Sequence, residues 1–140
     1  LEQAELARQR ALEQAELAKK REEERIFSQL LESYSKYVMV KECNNLSKSY
    51  ISKSELKTAK SQMKQIDGHY ESLEITVDTK AAWEKASELF EEKFRDSFDY
   101  LAKKGKKTEK IASACKTNLE EIGTSVQALQ NEKTTVEKDF

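Results

Sequence analysis

Proline is absent from this 140-residue chain, and glycine occurs only three times. Helices therefore meet no residue that lacks its amide, and few positions favour the left-handed turns that glycine supplies. Aromatic residues are sparse at 8%. The longest aliphatic run, Val38-Met39-Val40, is far too short for a transmembrane helix. Neither charge sign dominates: 25 Lys and Arg stand against 26 Asp and Glu, for a net charge of −1. No global field then draws the chain to nucleic acid or an anionic membrane. A single histidine leaves little for a metal set, and two cysteines allow at most one internal bridge. The chain begins at Leu1 without an initiator methionine or signal peptide, which reads as a processed mature chain or an excised domain.

What is present is charge and helix-forming residues. Charged side chains make up 36% of the chain, amid Ala, Leu, Glu, Lys and Ser, a composition that reads as all-α. The opening "LEQAELARQRALEQAELA" repeats LEQAELA at an eleven-residue offset, which suits three helical turns. Leu1, Ala4, Ala7, Ala11, Leu12, Ala15 and Ala18 share one broad, thin face, with Leu6 and Leu17 on the opposite side. Glu16–Lys20, Glu16–Lys19 and Glu5–Arg8 support the helix. Residues 1–25 thus read as a projecting helical arm, about 37 Å long, with Leu1, Leu12, Ala15 and Ala18 as its association face.

From Ile26 the same face strengthens through Leu30, Tyr34, Tyr37 and Val40, predicting one helix from the N-terminus to about Asn44. The serine-rich stretch Ser47–Ser54 breaks it, and Ser52 with Glu55 forms a capping box for a second helix. That helix carries Leu56, Ala59, Met63, Ile66, Tyr70 and Leu73 on one stripe, with Gly68 tolerated inside it. "EITVD" (Glu74–Asp78) reads as a linker, after which Asp78 or Thr79 caps a third helix running to Gly105. Its stripe is Trp83, Ala86, Phe90, Phe94, Phe98 and Leu101. A fourth helix begins near Thr108 with Ile111, Cys115, Leu119, Ile122, Val126, Leu129, Val136 and Phe140. The expected architecture is an antiparallel up-down four-helix bundle over residues 26–140, with a long N-terminal helical extension.

No pattern of catalysis emerges. His69 lies beside Gly68 with no Cys or carboxylate placed to complete a zinc set. Neither Cys43 nor Cys115 has a glycine-rich turn nearby to form an oxyanion hole. No enzymatic role, cofactor or metal is expected. Lys103, Lys104, Lys106 and Lys107 form a basic cluster in "KKGKKTEK". It reads first as a solvated helix terminus and second as a patch for an anionic membrane or other polyanion. The absence of interleaved arginine or aromatic residues speaks against nucleic acid. Acidic residues on helix three (Glu84, Glu88, Glu91, Glu92, Asp96, Asp99) and lysines on helix two suggest complementary sequential neighbours. The leading expectation is a non-enzymatic interaction or scaffold domain that uses its arm to bind another protein or a second copy of itself.

"VKECNNLSKSYISKSELKTAKSQMKQI" (Val40–Ile66), Trp83 within "AAWEKA", and Cys115 together resemble small exported helical domains of uncharacterised proteobacterial proteins. The resemblance covers about half the chain and leaves out the N-terminal repeats. It implies periplasmic or secreted residence and a disulfide between Cys43 and Cys115. Bundle topology is compatible with the pairing, since both residues fall near one pole on neighbouring helices. Two free buried thiols in a cytoplasmic protein are the alternative.

Overall fold

The computed structural model describes residues 2–73, 77–104 and 109–139, with side chains described through Asn131. The chain is all-α: among the described residues there are five helices and no strand. α1 spans Glu2–Leu46, α2 Lys53–Glu71, α3 Thr79–Lys93, α4 Arg95–Lys104 and α5 Glu109–Asp139. The long N-terminal helix expected from the continuous apolar face is present, running slightly past Asn44.

The starts of α2 and α3 follow from their caps. Ser52 Oγ accepts the Glu55 amide at 3.1 Å, and Glu55 Oε1 accepts the Ser52 amide at 3.0 Å. This reciprocal box satisfies two donors that a bare terminus would leave unpaired. Asp78 Oδ1 accepts the Ala81 amide at 2.9 Å and opens α3. Between α1 and α2 the serine-rich turn buries Tyr50 and Ile51. Asn44 Nδ2 donates to the Ile51 carbonyl at 2.9 Å, tying that turn to the end of α1.

Paired contacts fix the helix directions. Asn44 meets Ile51, Tyr34 meets Asp67 and Gln29 meets Tyr70, so α2 runs back along α1. Lys36 meets Glu121 and Cys43 meets Cys115, so α5 is also antiparallel to α1. Glu55 meets Lys116 and Gln65 meets Gln130, which makes α2 and α5 parallel neighbours. Tyr34 meets Trp83, and Glu42 meets Arg95, so α3 and α4 climb alongside α1 in its own direction. The expected square of an up-down four-helix bundle is not what these contacts draw. α1 packs on α2, α3 and α5, and α2 packs on α5, while the backbones of α2 and α3 do not come close among the described residues. The acidic face of α3 therefore does not answer the lysines of α2.

The single third helix expected from the aromatic stripe is two helices, broken at Phe94. No proline or glycine is responsible. Eight residues of ideal helix would turn Phe98 about 80° away from Phe90. The break lets both rings reach the core, edge to face at 5.0 Å, and leaves Phe94 38% exposed. Arg95 secures the turn, bonded to Glu91 and Glu42 at 2.9 and 3.2 Å and lying over the Phe90 ring.

The core runs from Ile26, Leu30, Tyr34 and Val40 of α1 to Met63 and Ile66 of α2, Ala82, Ala86 and Phe90 of α3, and Ile122 and Val126 of α5. Gly123 faces α2, where an added Cβ would stand 3.4 Å from Gln62 Nε2, an ordinary contact. Close backbone approach therefore does not require glycine there. The strand-like Glu74–Thr76 and the stop at Gly105 fall outside the described residues, as do the side chains of Val136 and Phe140.

Candidate functional site

The first buried residue of α1 is Ile26. Before it, every residue from Glu2 to Arg21 is exposed, although the helix is unbroken. A helix of this length is marginal alone, because its first turn must be nucleated at a loss of chain entropy. Here the nucleus is supplied by the anchored half of α1, so the arm propagates from it. Leu12 is 61% exposed, Leu6 51% and Leu17 49%. Ala15 and Ala18 are exposed as well, and Leu1 lies outside the described residues. The arm presents apolar side chains on both of its sides that no described side chain covers.

At the arm's root a cleft of about 640 Å³ opens between α1, α2 and α5. Ile26, Gln29, Ile66, Tyr70 and Leu129 line it, with Glu22 and Arg25 at the arm end. Glu22 and Arg25 form an ion pair, and its hydrogen bond holds the Glu22 carboxyl below the usual carboxylate range. Tyr70 Oη donates to Gln29 Oε1 at 3.0 Å. Lys36 bridges Glu32 and Glu121 at 3.1 and 3.4 Å, closing the cleft's far end between α1 and α5. A smaller hollow of about 400 Å³ lies on the other side of α1, between Phe27 and Val77.

Cys43 and Cys115 are joined in a disulfide, with Cα atoms 6.1 Å apart and both residues fully buried. The bond ties the end of α1 to the start of α5. Lys103 and Lys104 are exposed at the end of α4, and Lys104 lies 5.8 Å from the Tyr100 ring. Lys106 and Lys107 fall outside the described residues. His69 is half-buried with its ring edge-on to Tyr70. Among the described residues no group of three or more His, Cys, Asp or Glu side chains could hold a metal. No helix among them is long and apolar enough to cross a membrane.

One polar arrangement escaped sequence reasoning. Tyr34, fully buried, donates to Asp67 Oδ1 at 2.5 Å while the Trp83 ring stacks on it at 3.8 Å, nearly parallel. Burial and the neighbouring Asp67 carboxylate push the Tyr34 phenol well above its ordinary value. Tyr34 and Trp83 were legible as core residues. Asp67 carried no signal, since it follows Ile66 at the edge of α2's stripe like any solvated carboxylate.

Compared with protein-family models, with curated proteins and with solved structures, the chain matches none.

Proposed function

We propose that this chain is a non-enzymatic interaction or scaffold domain in which the helices from Ile26 onward anchor an arm that associates with protein. The observation that carries this reading is the exposure of Glu2–Arg21 along a helix whose other half carries Ile26, Leu30, Tyr34, Val40 and Cys43 of the core, with Leu6, Leu12 and Leu17 left in water. Covering those leucines would be favourable by the hydrophobic effect, and the helix needs no folding to receive a partner. The buried Cys43–Cys115 bond supports residence in an oxidising compartment, periplasmic or extracellular.

Deleting residues 1–25 tests it. The shortened chain should keep its cooperative unfolding and lose the association of the full chain, followed by sedimentation and chemical cross-linking. Equal association by both chains would refute the arm as the binding element.

A second reading, contact of the basic pole with an anionic membrane, draws on the exposure of Lys103 and Lys104 at the end of α4. It requires vesicle binding that falls steeply with salt and is lost when Lys103, Lys104, Lys106 and Lys107 are changed to Glu. Binding that survives this change would remove it.

A further inference from the structure

We infer that the arm's partner is a second copy of this chain, paired antiparallel about a two-fold axis at Leu12; this rests on the arm being an association element, as proposed above. Glu5, Leu12 and Lys19 follow each other at seven-residue intervals. On an α-helix such residues drift by only about 20° per step, so they form one edge of the arm. All three are exposed, and Leu12 more so than Leu6 or Leu17. The edge reads acid, apolar, base, and is therefore complementary to itself when reversed.

Beside this edge runs the alanine stripe Ala4, Ala11, Ala15 and Ala18. Small side chains let two helix axes approach to about 8 Å. When helices pack antiparallel on such a stripe, like edges meet, and a two-fold axis makes every contact reciprocal. Leu12 then lies against Leu12 of the second copy. Glu5 of each chain faces Lys19 of the other, twice. Arg8, at the margin of the stripe, lies level with Glu16 of the second copy. A parallel pair loses all of this: Arg8 faces Arg8, Glu22 faces Glu22, and the Glu5–Leu12–Lys19 edges point apart. The overlap includes the whole exposed run Glu2–Arg21 and leaves the two core regions at opposite ends. Glu2 of each arm then lies level with Glu22 of the other chain, at the rim of its cleft.

The test uses the full-length chain. Sedimentation equilibrium should show a reversible dimer. Glu5→Lys or Lys19→Glu alone should weaken it about tenfold, since each turns two attractive pairs repulsive. The double exchange should restore it, because both pairs re-form with signs reversed. Mild oxidation of Leu12→Cys should give a covalent dimer, while Glu5→Cys, about 21 Å from its symmetry mate, should not. A chain that stays monomeric at every concentration overturns the inference, whether the arm is covered by a different protein or by the chain's own C-terminal segment. Dimerisation that depends on the arm, with no rescue by the double exchange, or with cross-linking through Glu5→Cys, overturns the antiparallel register while leaving the arm as the association element.

Discussion

Tyr34 of α1 and Asp67 of α2 share a 2.5 Å hydrogen bond beneath the ring of Trp83 from α3. One side-chain group thus links three helices, with Tyr34 of α1 bonded to α2 and stacked on α3. Tyr34→Phe keeps the ring stack but leaves the half-buried Asp67 carboxylate without its donor. We expect a loss of about 1–3 kcal/mol in urea unfolding, with Asp67→Asn costing less because an amide can still accept the phenol proton. The phenol's raised pKa favours its neutral form in the folded state. Its contribution is complete below the ordinary tyrosine value of about 10 and is lost as pH rises beyond it. Absorbance titration should show Tyr34 ionising only as the protein unfolds.

The Cys43–Cys115 bond closes a loop of 72 residues. In the chain-entropy model, closure on this scale stabilises the fold by about 4 kcal/mol. Cys43→Ala/Cys115→Ala should therefore shift the urea midpoint strongly downward, and a reductant should act on the wild type only after partial unfolding, because both sulfurs are buried. Intact mass under non-reducing conditions checks the bond directly. Two free thiols in protein made in an oxidising compartment would refute it.

Ser52→Ala removes one half of the capping box and should cost about 1 kcal/mol. Glu55 supplies the other half and also bonds Lys116 of α5 at 2.6 Å. The Lys116 bond, then the Ser52 amide, hold its carboxyl below the ordinary carboxylate value. A depressed acid stabilises the fold above its unfolded pKa and ceases to do so as pH falls through the folded one. Acid unfolding should begin at higher pH in Lys116→Met, because Glu55 then protonates earlier. An unchanged acid transition would show that the bridge contributes nothing in solution.

Arg95 holds the α3–α4 turn by charge and by lying over Phe90. Arg95→Met keeps much of the packing and loses the ion pairs, which are partly exposed and worth little each. It should cost under about 1 kcal/mol, while Arg95→Ala should cost roughly twice as much. Hydrogen exchange of the Phe94 and Phe98 amides, which bond Phe90 and Phe94 carbonyls, should accelerate in the alanine variant before that of α2.

The capped starts of α2 and α3 and the core stripes of α1, α2 and α5 were legible because hydrogen-bond capping and 3.6-residue periodicity are local. The arrangement of helices was not. A square bundle and the observed set of neighbours place the same residues inside, and only contacts between distant segments distinguish them. Phe94 repeats at the same spacing as Phe90 and Phe98, so nothing in the pattern tells which ring turns outward. Burial of Tyr50 and Ile51 was hidden because they sit within a serine-rich stretch that reads as a loop. On the arm, sequence identified the thin alanine face, yet the exposure of Leu6 and Leu17 on the other side depended on seeing that no described side chain of a later helix covers them.

α1 extends for 45 residues, about 67 Å, with no glycine or proline between tip and base. Its lower half is clamped on three sides by α2, α3 and α5. Such a helix transmits direction as well as position: whatever the tip holds is kept at a set distance and a set bearing from the clamped base. Replacing Glu23 and Glu24 with glycine would leave the clamped base in place and loosen that bearing. Under the proposed function, the arm would act as a strut whose length in residues sets the spacing of what it joins.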